Sequence, residues 1–243
     1  CEDLEASRAS AQRYQPLGPS PLGGDDIQTD QKSLNQNEFW SQMPASGRVL
    51  AIACEPGVTD PTPGTRSVIV GTTGGGLWRS DTALPAANTT WLNVSDTLNS
   101  DTVGISTFNA IAYAPSDPNI VYAADGSYLD LIEGSGLFRS DDGGSTWTRI
   151  GFNLTGAQEV LSQLLVSPTD PNVVYVGYSD STQDGFGMLS RVNIFLDGDG
   201  DIDSITETFA VGDDGDLISS AVTGIVWTAV GYPLVAFDGL GVY

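Results

Sequence analysis

Ser140-Asp141-Asp142-Gly143-Gly144-Ser145-Thr146-Trp147 carries the pattern S-x-D-x-G-x-T-W, and each fixed position has a physical task. Ser140 and Asp142 have short side chains that fold back onto nearby backbone N–H groups and close a bend. Gly144 accepts a positive φ at no steric cost. Trp147 stands where a new strand begins and is large enough to seal the base of the turn. The stretch predicts a tight, self-bonded connection between two antiparallel strands.

Its surroundings recur along the chain. Upstream lie Asp117-Pro118-Asn119-Ile120-Val121-Tyr122 and Gly134-Ser135-Gly136-Leu137-Phe138-Arg139-Ser140. The next copy reads Asp170-Pro171-Asn172-Val173-Val174-Tyr175-Val176-Gly177 and reaches Gly185-Phe186-Gly187-Met188-Leu189-Ser190. An earlier copy holds Ser67-Val68-Ile69-Val70-Gly71 and Gly74-Gly75-Gly76-Leu77-Trp78-Arg79-Ser80, with Trp91 as the expected plug of a stretched turn. Each unit has an apolar run (108–113, 160–166), then a Pro/Asp/Asn turn and a β-branched run. A Gly-rich turn and a short aromatic strand complete it. Helical periodicity is absent. Units of this kind predict an all-β fold, a β-propeller of four-stranded antiparallel blades spanning 49–94, 108–152 and 160–211. A fourth copy, from 218 to Gly239-Leu240-Gly241-Val242-Tyr243, stops where its turn and last strand are due. About three and a half blades are therefore expected, and a longer parent protein with them.

The 140–147 stretch resembles the Asp-box of sialidases, sortilin-type receptors, xyloglucan-cleaving glycosidases and a photosystem II assembly factor. That resemblance implies a hairpin joining the third and fourth strands of a blade, on the rim and away from the usual ligand face. The structural residues it implies are Ser140, Asp142, Gly144, Thr146 and Trp147.

Composition bounds the function. The net charge is −22, with one lysine (Lys32) and no histidine. Such a surface repels nucleic acid and anionic lipid headgroups. It suits a saline or calcium-containing medium outside the cytoplasm. Residues 1–38 are polar, with a Pro/Gly cluster over 16–24, and read as an extended tether or arm; 39–243 read as the partial propeller. Cys1 followed by a polar tether resembles the start of a mature bacterial lipoprotein, which implies a lipid anchor on Cys1 as the membrane contact. The alternatives are a Cys1–Cys54 disulfide or a fragment boundary. Cys54 lies in an apolar stretch and is expected to be a buried thiol. Asn88, Asn93 and Asn153 each begin an N-x-S/T sequon and are candidate glycan acceptors.

Three sets of residues are candidates for chemistry. Asp197, Asp199, Asp201 and Asp203 alternate through a Gly-rich turn, and converging carboxylate oxygens are what Ca²⁺ needs. The run resembles dockerin and integrin-type loops, yet no Gly follows Asp201 and Thr208 stands where a bidentate Glu belongs. Sialidases need an F/Y-R-I-P motif and an arginine triad; Thr148-Arg149-Ile150-Gly151 is a faint echo, and that activity is excluded for this segment. Xyloglucan-cleaving glycosidases share the D-P-N-x-V-Y and G-G-G-L-W-R-S idioms and use two carboxylates across a cleft. Asp125 and Asp180, just past the second strands of their blades, are the candidate acids. Trp40, Tyr128 and Trp227 are candidate sugar platforms, with blade packing as the alternative.

No P-loop, G-x-S-x-G or C-x-x-C motif occurs, so nucleotide and redox chemistry have no support. The expected function is a non-catalytic extracytoplasmic scaffold, a propeller holding protein partners in a larger assembly. The alternative is a piece of a secreted glycoside hydrolase, similar to the xyloglucanases and acting on polysaccharide.

Overall fold

β-branched and aromatic runs separated by Gly and Asx turns form strands throughout the computed structural model. It describes residues 48–57, 66–81, 90–96, 98, 107–126, 136–150, 159–180, 187–210, 216, 218 and 220–243. The chain divides into two compact units, Cys1–Ser46 and Gly47–Tyr243, and every described residue belongs to the second. The tether, Cys1, Trp40, Asn88, Tyr128 and Asn153 lie outside the described residues.

Fifteen strands among the described residues make four antiparallel sheets, each a simple meander. The first holds β1 (Val49–Cys54), β2 (Val68–Thr72), β3 (Gly76–Ser80) and β4 (Leu92–Asn93). The second holds β5 (Phe108–Ala114), β6 (Asp117–Asp125), β7 (Leu137–Ser140) and β8 (Thr148–Ile150). The third holds β9 (Glu159–Val166), β10 (Val173–Asp180), β11 (Leu189–Leu196) and β12 (Ile202–Phe209). β13 (Val222–Trp227), β14 (Pro233–Phe237) and β15 (Gly241–Val242) form the fourth. First strands of successive sheets lie beside one another, β1 by β5, β5 by β9 and β9 by β13. The fold is a partial propeller of successive blades.

One ladder position explains how the blades stack. Gly71, Ala124, Gly177 and Ala236 occupy equivalent places, opposite Ala51, Ala110, Gln163 and Gly224 on their first strands. A Cβ on Gly71 would lie 2.5 Å from the Phe108 carbonyl oxygen of the next blade. One on Gly177 would lie 2.7 Å from Val222 Cβ. Small residues here let a whole sheet seat on its neighbour. The cores follow suit: Ile69 and Leu77 share a cluster with Phe108, Val121 and Phe138, while Tyr122, Ala124 and Leu137 share one with Leu161, Val174 and Val176. Burying such residues contributes roughly 1.5–3 kcal/mol each, so the blade faces are the main source of stability.

The 140–147 turn forms as its residues dictate. Ser140 Oγ accepts from the Gly144 N–H at 2.8 Å and donates to Asp142 Oδ1 at 2.8 Å. Asp142 Oδ1 also accepts from the N–H groups of Ser145 (2.9 Å) and Thr146 (2.8 Å), and Oδ2 accepts from Thr146 Oγ1 at 2.7 Å. Gly144 sits at φ +91°, against Ile69 of the preceding blade. Trp147 is buried among Ile69, Phe108 and Val121.

Three expectations need correction. Trp91 is half-buried, spread over Val68 and Val70 beside Trp78. Cys54 is an exposed free thiol, because it lies on the β1 face turned away from blade two. In blade three the glycine-rich segment is displaced by one residue. Tyr178 N–H bonds the Met188 carbonyl where Asp125 N–H bonds that of Gly136, so Leu189 and Arg191 match Leu137 and Arg139.

Candidate functional site

The meanders give each blade two ends. At the turn end lie the β5–β6 and β9–β10 bends and the turns at 140–147 and 197–201. At the opposite end β6 finishes at Asp125 and β10 at Asp180. Both candidate acids therefore occupy the same end of adjacent blades, away from the 140–147 turn.

Their settings differ. Asp125 is buried, and its Oδ1 accepts from the Gly136 N–H at 2.8 Å. The Gly126 N–H next to it donates to the Thr107 carbonyl at 2.8 Å, and Thr107 Oγ1 accepts from the Gly74 N–H of blade one at 3.0 Å. This carboxylate clamps the span 126–136 across its base. Asp180 is the last residue of β10, and its Cα pairs with that of Glu159, the first residue of β9. One rung of the ladder thus holds two acidic positions. Sequence reasoning missed Glu159; the signal was its place heading the apolar run opposite the end of the next strand.

It also missed a part-buried hydroxyl–carboxylate contact: Tyr178 Oη donates to Glu207 Oε1 at 2.5 Å. Tyr178 takes the rung in blade three that Asp125 takes in blade two.

Trp227 belongs to the other end and is committed to packing. Its Nε1–H donates to the Val166 carbonyl at 2.7 Å, and its ring meets Tyr175 edge-on at 5.4 Å. These contacts are those of the blade-packing alternative.

The turn end is held by arginines. Buried Arg139 donates from Nη1 to Tyr122 Oη (2.9 Å) and to Asn172 Oδ1 of blade three (2.7 Å), and from Nε and Nη2 to Asp141. Tyr122 Oη donates in turn to the Pro171 carbonyl at 2.8 Å. Burial works against the guanidinium charge, but Asp141 and the Tyr122 hydroxyl outweigh it and push the Arg139 pKa up. Burial likewise pushes the Tyr122 hydroxyl up, beyond what Arg139 offsets. Arg79 repeats the device one blade earlier, pairing with Asp81 and donating to Ser145 in blade two. Arg191, the third in register, is exposed and borders a cleft of about 410 Å³ with Asp170, Asn172 and Phe195.

The acidic run 197–203 makes the β11–β12 turn, the place the 140–147 turn takes in blade two. Asp197 Oδ1 accepts from the N–H groups of Asp199 (3.0 Å) and Asp201 (2.9 Å). Among the described residues no three acidic or thiol groups converge as a metal cage. As it stands, the turn is closed by its own backbone. Asn93 spends its side chain on the strand junction, its Oδ1 accepting from Ser95 and Asp96 N–H groups and its Nδ2 donating to the Gly75 carbonyl.

Comparison with known proteins gives partial likenesses. No family model matches the sequence. The chain is 40% identical over 84 residues to the dispase autolysis-inducing protein of Streptomyces mobaraensis, a match covering 31% of this chain and 22% of that protein. It is 30% identical over 136 residues to a xyloglucanase of Hypocrea jecorina, covering 50% of this chain and 15% of that one. Over 99 residues it is 30% identical to a xyloglucanase of Paenibacillus, covering 37% and 10%. Among solved structures, the GH74 xyloglucanase of Xanthomonas campestris aligns with a TM-score of 0.40 and 17% identity over 73% of this chain and 26% of that one. The chain spans less than a quarter of the length of these curated relatives, and over that span it is similar in sequence to xyloglucanases.

Proposed function

We propose that the chain is part of an extracytoplasmic, polysaccharide-acting propeller similar to the xyloglucanases, and that its glycan-facing end is the one where β6 and β10 finish. The observation that carries the reading is the sequence likeness to xyloglucanases from a fungus and a bacterium. Glycoside hydrolysis takes two carboxyl groups, one protonating the leaving oxygen and the other acting as base or nucleophile. The Glu159–Asp180 rung, two acidic positions paired in register at that end, supports the reading. Asp125 is the weaker candidate, since its clamp on Gly136 keeps it out of solvent.

A second reading, a non-catalytic propeller that holds a protein partner, is favoured by the 40% likeness to a protein named for inducing dispase autolysis.

Native electrophoresis through gels containing xyloglucan, paired with assay of reducing ends released, separates the two. The glycan reading expects retarded migration in xyloglucan, weakened by Glu159→Gln and Asp180→Asn while the melting temperature holds. Unchanged mobility with and without polysaccharide, and no release of reducing ends, defeats it and leaves the protein-binding reading.

A further inference from the structure

The outermost strand of blade three differs from its counterparts. β4 and β8 close their blades with two and three residues, whereas β12 runs for eight. It stands at the end of its sheet, with β11 on one side and no strand on the other among the described residues. A long free edge is a template for another strand, and proteins blunt such edges with short strands, lysine, proline or bulges. β4 and β8 are short in that way. β12 has one bulge, opposite the step from Phe195 to Leu196. Past it, residues 204–209 pair regularly with β11 and hold no Lys, Pro or Gly.

Register decides which backbone groups of β12 face out. The Ala210 N–H donates to the Leu189 carbonyl, and on the other side of β11 the Ile194 N–H donates to that of Asn172. Bonded and non-bonded pairs alternate in an antiparallel ladder. Ser204, Thr206 and Thr208 therefore spend their backbone groups on β11, while those of Ile205, Glu207 and Phe209 point to the rim. The side chains alternate in step. Ile205 and Phe209 pack against the core shared by blades two and three, and Ser204, Thr206 and Thr208 are exposed. Charge gives the edge a sign: the β11–β12 hairpin carries Asp197, Asp199, Asp201, Asp203 and Glu207 against Arg191 alone.

We propose that β12 is a docking edge, on which an extended, basic segment of a partner protein adds as a further strand, bonded to the backbone of Ile205, Glu207 and Phe209. In strand addition the main-chain bonds supply affinity and the side chains supply selectivity. Here the hairpin's carboxylates select lysine and arginine, and they repel the identical hairpin of a second copy. Blades stack through their faces, with first strands side by side, and β12 lies at the far side of its sheet from β9. Further blades of a longer chain would therefore cover a face and not this rim. The proposal does not rest on the glycan reading, and either can fail alone.

Amide hydrogen exchange followed by NMR on the 243-residue chain provides the test, with a short peptide of alternating Lys and Thr and a twin carrying Glu for Lys. In the free chain the amides of Ile205, Glu207 and Phe209 should exchange fast, and those of Thr206 and Thr208 slowly. The Lys peptide should slow the first three, and added NaCl should loosen its hold. The Glu peptide should slow none of them. Thr206→Lys, at an exposed site, should keep the wild-type melting temperature and lose most of the binding of the Lys peptide. Glu207→Pro removes one outward N–H and should lose it too; Thr206→Lys carries the test alone if that variant misfolds. Slow exchange at Ile205, Glu207 and Phe209 before any peptide is added means that the edge is already covered, and overturns the proposal. So do equal effects of the two peptides, protection without the alternation, or Thr206→Lys binding the Lys peptide like wild type.

Discussion

The turn at 140–147 and the turn at 197–201 join the third and fourth strands of consecutive blades, yet they are held in different ways. The first is tied by Ser140 and Asp142 to four of its own N–H groups, plugged by Trp147 and gripped by Arg79 from the blade before. The second has one carboxylate, Asp197, accepting two N–H groups, and it is exposed throughout. In blade three the neighbouring arginine, Arg139, grips the Pro171-Asn172 bend and leaves the acidic turn alone. The same topological slot is therefore an anchor between blades in one case and a solvated tip in the other. Anchoring comes from the aromatic plug and the arginine across the interface, not from the turn's position.

Removing the plug is the most severe way to test that contrast. Trp147→Ala should cost about 3–5 kcal/mol of stability in denaturant unfolding, the usual loss for an emptied aromatic core site. Trp147 Nε1 has no hydrogen-bond partner among the described residues, so Trp147→Phe should cost much less; equal losses would mean that the ring's polar edge matters after all. Arg139→Met should cost about 2–3 kcal/mol, because hydrogen bonds to a charged group are lost and Asn172 is left without its donor. Arg191→Met, at the exposed position in the same register, should be nearly neutral in the same unfolding measurement.

Acidity sharpens the comparison further. Burial tends to raise the Asp142 pKa, but the Thr146, Ser140 and Ser145 hydrogen bonds outweigh it and hold the carboxyl below its ordinary 3.8. A depressed folded-state pKa means stability present above about 3.8 and lost as pH falls through the lower folded value. Asp142→Asn should thus cost about 1–2 kcal/mol at neutral pH, with the gap from wild type closing in acid. A gap that persists below the folded pKa would show that charge plays no part. The smallest effect belongs to the acidic turn: Asp197→Ala should change stability by less than about 0.5 kcal/mol. Dilute CaCl₂ should raise the melting temperature no more than NaCl of matched ionic strength. A calcium-specific rise, abolished by Asp197→Ala, would show that the ion gathers carboxylates the free turn keeps apart.

Blade boundaries were legible because each is written in period-2 apolar runs and Gly/Asx punctuation, which depend on local chemistry alone. So was the 140–147 turn, whose Ser140 and Asp142 side-chain bonds all lie within a few residues. What the sequence concealed depends on neighbours distant along the chain. Cys54 sits in an apolar run and looks buried, but which face of β1 is covered is decided by β5. Arg139 looks like a surface cation between Phe138 and Ser140; its burial needs Tyr122 and Asn172, one on the adjacent strand and one on the next blade. The shift in blade three was hidden because Gly185 and Gly187 mimic Gly134 and Gly136, while strand pairing, invisible in one sequence, puts Met188 opposite. Asp125 looked like an open acid at a strand end, and only the return of the chain at Gly136 turns it into a clamp.

The proposed function divides labour between the two ends of the blades, with an anchoring turn end and, as proposed, a glycan-facing end at Asp125, Glu159 and Asp180. Hydrogen–deuterium exchange of the 243-residue chain with and without xyloglucan oligosaccharide tests it directly. The account predicts new protection in peptides ending or starting at Asp125, Glu159 and Asp180, with none at 140–147 or 197–201. Protection confined to those two turns, or no change anywhere at saturating oligosaccharide, would contradict it.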